Sequence, residues 1–324
     1  MFPIRMLLRV YSFAVLIVDV FWVMLNATFA VIEAFFIYLV PPPLKSVENE
    51  VVMVVGSGRG VGQDIAIQLS LRGAKVLCVD HNEENNTKTV AFINRKGGDA
   101  HSFICDVTVK ENIDNLVQNI KTDGNFVSML FYCCGIPSPR SLMTQPSQDI
   151  HETLDLTLTA FIWLINHFLP DMKKKNHGHI VALTSVAGLS YLKEYMPLSV
   201  AQFGVQGLAE SLLEDMRVNK ITGVHVSLIH IYPFIVEQSS DYRLNSRFYS
   251  KDTTRFNQTE RIPSYFGTIS PTKAAHSILD IVLRNTTEGS IPSRLLFLGR
   301  LLRFLPRKAT VLIRDLLDTG VDFV

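Results

Sequence analysis

The chain has 324 residues, of which 48% are hydrophobic, and its formal net charge is +1. This length and composition can supply one α/β domain with a large core and an additional segment. Because the net charge is close to zero, nothing favours a nucleic-acid partner. The four cysteines have no metal-ligand spacing, so no metal site is expected: Cys78, Cys105, Cys133 and Cys134. Of these, Cys78 and Cys105 fall in predicted strands and are expected to be buried thiols in a reducing compartment.

The N-terminal segment is predicted to associate with a membrane. Residues 10–40 are almost wholly apolar and would form a helix about 46 Å long, whereas a bilayer core is about 30 Å thick. Polar residues interrupt one face of this helix at seven-residue intervals: Ser12, Asp19, Asn26 and Glu33. The helix could lie in the membrane interface, span the bilayer with this face against a partner helix, or form a hairpin broken near Asn26.

A cleaved signal peptide ending near Ala30 is the competing interpretation of this segment. It is disfavoured because Asp19 would lie within the apolar region of the signal and because more apolar sequence follows. The three prolines at 41–43 should end the helix and begin a linker.

A glycine-rich turn follows the first predicted strand. Residues 51–55 are an apolar run typical of a strand buried on both faces, and a helix that carries Ile65 and Leu69 on one face follows and is closed by Gly73. Glycines let the backbone approach a pyrophosphate, and a helix N-terminus offers unpaired N–H groups. The turn is therefore predicted to hold a dinucleotide through Gly56, Ser57, Gly58, Arg59, Gly60, Val61 and Gly62.

The second strand, over residues 75–79, ends at an acid that bears on which dinucleotide is bound. Asp80 can accept hydrogen bonds from both ribose hydroxyls, and its charge would repel a 2′-phosphate. The prediction is therefore NAD. The alternative is a glycine-rich turn that binds nothing.

The glycine spacing, Gly56-xxx-Gly60-x-Gly62, resembles that of the short-chain dehydrogenase/reductase family, although Val55 replaces the family threonine. Residues 176–181, NHGHIV, resemble a phrase of the subfamily that contains epidermal retinol dehydrogenases and lipid-droplet 17-beta-hydroxysteroid dehydrogenases. The resemblance implies a Rossmann-like, doubly wound parallel sheet of about seven strands. It also implies attachment to the endoplasmic reticulum membrane or lipid droplets, with the domain facing the cytosol. The predicted organisation is a membrane segment over 1–43, the Rossmann domain over 44–290 and an amphipathic extension over 291–324.

Further elements are predicted in the middle of the domain. Strands are expected over residues 101–105, 127–132, 179–184 and 224–229, and helices over 83–95, 110–121, 151–167, 199–216 and 270–284. By the resemblance, Asp106 reaches the adenine amino group while the backbone of Val107 flanks the ring. Asp106 could instead, or also, be the N-cap of the next helix. Gly135 is the one residue kept from the family phrase N-N-A-G, where this chain reads Tyr-Cys-Cys-Gly.

The catalytic positions implied by the resemblance are largely replaced. The family serine is Ser185, but its tyrosine thirteen residues later is Leu198 and its lysine four residues beyond is Gln202. The family asparagine aligns with Thr157. Leucine cannot transfer a proton, and glutamine carries no charge to lower the pKa of a phenol, so the sequence predicts impaired redox catalysis. A relocated Tyr195 as acid, and Ser185 as a simple turn cap, are the alternatives.

Two further regions bear on cofactor and membrane binding, one near residues 232–233 and one in the C-terminal part of the chain. The proline-glycine turn and threonine of the family are out of register near Tyr232 and Pro233, so NAD binding should be weakened on that side. Residues 295–317 mix arginines with apolar residues, which indicates either a membrane-touching amphipathic stretch or a helix packed on the sheet. The helix over 199–216 could pair two subunits, as in relatives.

Three hypotheses follow. The first is a membrane-bound family member that has lost redox catalysis while still binding NAD or a lipophilic small molecule. The alternative is an active NAD-dependent oxidoreductase of a lipophilic alcohol or ketone, such as a retinoid, a steroid or a fatty alcohol, with a non-standard proton relay. The third is a scaffold that binds no cofactor.

Overall fold

Helix α1, Phe2–Leu39, belongs to the first of two units into which the chain divides, Met1–Lys45 and Ser46–Val324. The computed structural model describes residues 2–134, 147–185, 188–189, 196–231 and 269–317. Within those residues, one helix is long and apolar enough to cross a membrane, with a candidate span at Tyr11–Ile37 and a mean hydropathy of 2.2. The helix ends before the three prolines, as predicted.

Helix α1 is continuous through Asn26, so the predicted hairpin with a break there is wrong. The side-chain amide of Asn26 donates to the carbonyl oxygen of Trp22 at 2.7 Å, one turn earlier in the same helix. Because this bond satisfies a polar group locally, Asn26 does not interrupt the helix. The interfacial and spanning arrangements stay predictions.

The second unit is built on a seven-stranded parallel sheet, as predicted. The strands are β1 (Val51–Val55), β2 (Lys75–Asp80), β3 (Asp99–Ile104), β4 (Met129–Tyr132), β5 (Gly178–Ser185), β6 (Val224–Ile231) and β7 (Glu288–Ile291). Their order across the sheet is β3-β2-β1-β4-β5-β6-β7, and every neighbouring pair is parallel. The order reverses between β1 and β4, and open α/β sheets bind ligands outside the carboxyl ends of their strands at such a point.

Helices cover both faces of this sheet. They are α2 (Gly60–Ser70), α3 (Glu83–Arg95), α4 (Lys110–Thr122), α5 (Ser147–Leu154), α6 (Ala160–Lys175), α7 (Met196–Val218), α8 (Pro271–Leu283), α9 (Arg294–Phe304) and α10 (Arg307–Leu317). One apolar cluster lies under α4, α6 and α7, and a second lies under α2 and α8. Strands β1 and β4 are buried on both sides, which explains their unbroken apolar sequences.

The helix predicted over residues 151–167 differs from the observed structure. The chain forms α5, then a π-helical turn at Asp155–Thr159, then α6, which continues past Pro170 to Lys175. The expected end at Pro170 is wrong because Phe168 and Met172 are both buried on either side of it. Their packing offsets the hydrogen bond that proline cannot donate. The π-helical turn at Asp155–Thr159 cannot be recognised from the hydrophobic pattern of the sequence.

Candidate functional site

The glycine turn has the shape of a cradle for a ligand backbone. Gly56 and Gly60 have φ angles of +85° and +60°, which side chains other than glycine rarely adopt. A Cβ built on Gly62 would lie 2.1 Å from the carbonyl oxygen of Gly56, and one built on Gly58 would lie 2.8 Å from Oδ2 of Asp80. Helix α2 begins at Gly60 with Arg59 as N-cap and no side-chain hydrogen bond to its first N–H groups. The turn therefore fits an anionic group such as a pyrophosphate.

Asp80 is fixed at the tip of β2, directly beside this turn. Its Oδ2 accepts a hydrogen bond from the N–H of Gly58 at 2.8 Å, and its Oδ1 accepts one from the N–H of Asn82 at 2.9 Å. Each carboxylate oxygen can accept more than one hydrogen bond, so both retain capacity for ligand hydroxyls. The structure thus brings together the predicted acid and the predicted turn.

A buried polar network that the sequence analysis missed braces the turn. Ser57 Oγ donates to Asn86 Oδ1 at 2.8 Å, and Asn86 Nδ2 donates to the carbonyl oxygen of Cys78 at 2.9 Å. Thr89 Oγ1 lies 3.2 Å from the carbonyl oxygen of Ser57 and can donate to it. This network connects the turn to β2 and α3 through side-chain hydroxyl and amide groups, although Val55 stands where the family has a threonine. A signal was present, because Asn86 lies on the inner face of α3, where an apolar residue would be usual.

Asp106 does not cap the next helix. Its Oδ1 accepts hydrogen bonds from the N–H of Thr108 at 3.0 Å and from the hydroxyl of Thr108 at 2.7 Å. Helix α4 begins at Lys110 with Val109 as N-cap, and Val109 makes no side-chain capping bond. The N-cap prediction is therefore wrong, because Asp106 lies three residues before the N-cap and binds Thr108 instead. Asp106 is exposed and Val107 is buried, and their adenine-side roles stay predictions.

Cys134 lies within electrostatic reach of both carboxylates. Burial raises the pKa of its thiol to about 12, and the charges of Asp80 and Asp106 add to this effect. The two acids predicted for the adenosine side therefore flank one region at the end of β4. Gly135, the next predicted residue, lies outside the described residues.

The cysteine predictions can be compared with the structure directly. Cys78 and Cys105 are both buried, as expected, although Cys105 follows β3 instead of lying in it. Burial raises the pKa of Cys78 to about 12 and that of Cys105 to about 11. These thiols are consequently protonated, unreactive groups at neutral pH.

Ser185 and Gln202 are in direct contact. Ser185 ends β5, and its backbone N–H donates to Oε1 of Gln202 on α7 at 3.2 Å. Gln202 and Leu198 are buried, with exposures of 3% and 5%. Gln202, predicted to align with the family lysine, is thus a neutral side chain that accepts a backbone hydrogen bond. Tyr195, Tyr232 and Pro233 lie outside the described residues.

Thr157, predicted to align with the family asparagine, lies in the π-helical turn. Its Oγ1 is buried, and within the described part of the chain it has no hydrogen-bond partner. The neighbouring carbonyl oxygen of Leu156 accepts a hydrogen bond from the phenol of Tyr132. Burial raises the pKa of Tyr132 well above its usual range, and its ring stacks on Phe161 at 4.7 Å. This phenol is a protonated structural donor.

A second polar network, also missed, joins the carboxyl ends of β5 and β6 to the first residue of β7. Thr184 Oγ1 and Nδ1 of His230 are 2.8 Å apart, and Nε2 of His230 is 2.9 Å from Oε1 of Glu288. Glu288 also pairs with Arg300 of α9. Burial acts to raise the pKa of Glu288, but the His230 hydrogen bond and the Arg300 charge outweigh it, so that the pKa is lowered. His230 is fully buried, which makes the network a structural connection between strands.

Comparison with known proteins places this geometry in a family. Human epidermal retinol dehydrogenase 2 is 28% identical over 294 residues, covering 90% of each chain. Human 17-beta-hydroxysteroid dehydrogenase 13 is 23% identical over 298 residues, covering 92% of this chain and 93% of its own.

Solved structures show the same fold. A short chain dehydrogenase/reductase from Burkholderia phymatum in complex with NAD has a TM-score of 0.68 at 19% identity, covering 81% of this chain and 95% of its own. A metagenomic short-chain oxidoreductase in complex with NADP has a TM-score of 0.58 at 22% identity, covering 75% and 92%. A family model described as short chain dehydrogenase matches residues 50–242, more than half of the chain. The protein therefore belongs to the short chain dehydrogenase family.

Proposed function

We propose that this protein is a membrane-attached member of its family that binds NAD and has lost the proton-transfer chemistry of an oxidoreductase. The observation that carries the proposal is the hydrogen bond from the N–H of Ser185 to Gln202, at the position where the family has a lysine. The proposed organisation is a membrane segment over 1–43, the Rossmann domain over 44–290 and a C-terminal extension over 291–324.

The cradle supports NAD binding from this chain's own residues. The glycines leave the backbone open for a pyrophosphate where side chains would clash, and Asp80 offers acceptors beside Gly58. A negative charge at Asp80 disfavours a 2′-phosphate, which supports NAD over NADP. When bound, the nicotinamide would supply a hydride acceptor or donor.

The residues at the two proton-transfer positions, Leu198 and Gln202, support loss of catalysis. Leu198 has no transferable proton, and Gln202 has no charge with which to lower the pKa of a phenol. Loss of a positioned acid or base typically lowers the rate by about 10²–10⁴-fold. Within the described residues, the phenol nearest in sequence to this region is Tyr132, which is committed to a backbone carbonyl.

Helix α1 supports attachment to a membrane, and we place the protein at the endoplasmic reticulum or at lipid droplets with its domain facing the cytosol. Two of the relatives described above are named as dehydrogenases of a retinol and of a hydroxysteroid, and both of these compounds are lipophilic. A lipophilic small molecule is accordingly the ligand class we infer beside NAD.

Two measurements on purified full-length protein test the proposal. Calorimetric titration should show heat on adding NAD, and a panel of retinoids, steroids and fatty alcohols should give no steady NAD-dependent turnover. Turnover that is abolished by Ser185→Ala would contradict the loss of catalysis. Absence of both heat and a thermal shift with NAD would instead favour a scaffold without cofactor.

An active oxidoreductase is the second candidate, favoured by one observation. Thr157 Oγ1 is buried and has no partner within the described residues, so it could hold a water in a non-standard relay with Ser185. This candidate expects turnover that falls when Thr157→Val removes the hydroxyl while NAD affinity stays unchanged.

A further inference from the structure

Helix α9 turns an apolar face to solvent. Phe297 and Phe304 are 73% and 86% exposed, and Leu301 between them is also exposed. Their spacing of four and three residues puts all three on one side of the helix. Leu295, by contrast, is buried on the inner side. The apolar side chains of an ordinary surface helix face the core, so an outward face of two phenylalanines and a leucine is unusual.

Positive charge surrounds this face. Between Glu288 and Asp315 the sequence has six cationic residues and no acidic one: Arg294, Arg300, Arg303, Arg307, Lys308 and Arg314. On the helix, Arg294 and Arg300 border the apolar face on opposite sides. Arg307 and Lys308, at the start of α10, are exposed. This surface is therefore complementary to a partner surface that is both apolar and anionic.

The other side of α9 is attached to the carboxyl edge of the sheet. Arg300 pairs with Glu288 of β7, and Arg303 donates to the carbonyl oxygen of Gly188, just beyond β5, at 3.0 Å. A Cβ built on Gly299 would lie 3.3 Å from Cβ of Leu189. Since Ser185 ends β5, α9 lies alongside the chain that leaves the candidate site.

We propose that α9 and the start of α10 form a lipid-contact surface in which Phe297, Leu301 and Phe304 enter the acyl boundary of a bilayer. Arg294 and Lys308 bind anionic headgroups. A helix with a basic rim and aromatic and leucine side chains on one face binds such interfaces by combined apolar burial and charge attraction. This extends the proposed function, on which it rests, by opening the carboxyl edge of the domain toward lipid. A lipophilic ligand would then reach the site from the bilayer.

The test uses the full chain, with a readout confined to α9, because α1 is itself expected to bind membranes. The variant combines Trp22→Phe with Phe304→Trp, which leaves Trp163 as an internal reference. Vesicles carry phosphatidylcholine with brominated acyl chains, with or without phosphatidylserine. We expect the tryptophan introduced at 304 to be quenched at least twofold in the vesicles that contain phosphatidylserine. Adding Arg294→Glu and Lys308→Glu should abolish most of this quenching.

A matched control carries Leu71→Trp in place of Phe304→Trp, since Leu71 is exposed and follows α2, outside α9 and α10. Its tryptophan should stay unquenched. An unquenched tryptophan at 304 in protein that floats with the vesicles would overturn the proposal. Equal quenching in neutral and anionic vesicles, unchanged by the two charge reversals, would also overturn it. So would a blue shift of the tryptophan emission without vesicles, which would indicate a second copy of the chain as the partner. Flotation and NAD titration of the same samples report separately on α1 and on the cradle.

Discussion

Oε1 of Gln202 accepts a hydrogen bond from the backbone N–H of Ser185 at 3.2 Å. By the resemblance, the two residues align with the serine and the lysine of the family's catalytic set, and we propose that their contact is structural. Both are almost fully buried, with exposures of 6% and 3%. A buried N–H that loses its acceptor is costly, which ties this glutamine to stability.

Replacement of Gln202 by alanine should therefore destabilise the fold. We expect Gln202→Ala to lower the free energy of unfolding by about 1–3 kcal/mol, because the N–H of Ser185 loses its acceptor and a cavity forms. Urea denaturation measures the change. The control is Gln118→Ala on the exposed side of α4, which should change stability by less than about 0.5 kcal/mol. Equal effects of both variants would show that the contact is unimportant.

Restoring the family residues at two positions should not restore an enzyme. In the double variant Leu198→Tyr with Gln202→Lys, Ser185 loses its acceptor, a bulky phenol enters a buried position, and Thr157 remains. We expect turnover of retinoids, steroids and fatty alcohols to stay at background, with reduced thermal stability. Robust NAD-dependent turnover in a coupled absorbance assay would mean that the other departures from the family matter little.

The cradle can be tested with two glycines in different surroundings. In Gly58→Ala the new methyl group would meet the Asp80 carboxylate at 2.8 Å, so NAD affinity should fall at least tenfold by calorimetry. Gly207→Ala on α7 is the control, because no atom lies within 4 Å of its built Cβ. This control should stabilise the helix by up to about 1 kcal/mol and leave NAD affinity unchanged. If both variants bind NAD with the affinity of the unmodified protein, the glycine turn is not the NAD site.

Asn86 should prove important for both fold and cradle. Asn86→Ala removes the partner of Ser57 and leaves the carbonyl oxygen of Cys78 without that bond. We expect a loss of about 2–4 kcal/mol in unfolding free energy and weaker NAD binding. Thr87→Ala, on the exposed side of α3, serves as the control. Thermal unfolding and NAD titration of both variants check this, and an unaffected Asn86→Ala protein would refute the bracing role.

Acid should weaken the contact between β7 and its neighbours. The pKa of Glu288 is lowered in the folded protein, with burial opposing and His230 and Arg300 favouring the carboxylate. Its stabilisation is therefore fully present above the unfolded value, about 4.3, and is lost as pH falls through the lower folded value. Glu288→Gln should reduce the pH dependence of unfolding below about pH 4.5. Glu84→Gln is the control, since Glu84 pairs with Lys88 in full exposure, where ion pairs contribute little.

The fold was predictable because the apolar sequences of its inner strands indicate burial in a sheet. Residues 51–55 and 180–183 are apolar without interruption, and each lies inside the sheet as expected. Strand β3 was placed two residues too late because it is an edge strand whose exposed positions hold Asp99, His101 and Ser102. Edge strands lack the two-sided burial that makes the pattern readable.

Only the part of the candidate site that belongs to a sequence motif was predictable. The glycine turn and Asp80 were found from spacing alone, and the structure brings them together. The Ser57–Asn86 and His230–Glu288 contacts were not found, since they join residues 29 and 58 positions apart through single polar side chains. No periodicity marks such pairs. The π-helical turn escaped for a related reason, because one extra residue in a turn hardly disturbs a helical pattern.

The bond from Tyr132 to the carbonyl of Leu156 bears on how such a protein could change further. It anchors the end of β4 to the irregular turn that holds Thr157, with an aromatic ring filling the space between them. Thr157 is itself buried in this anchored turn, so a larger side chain at 157 should cost stability. A larger residue could then be accommodated only if neighbouring positions changed with it.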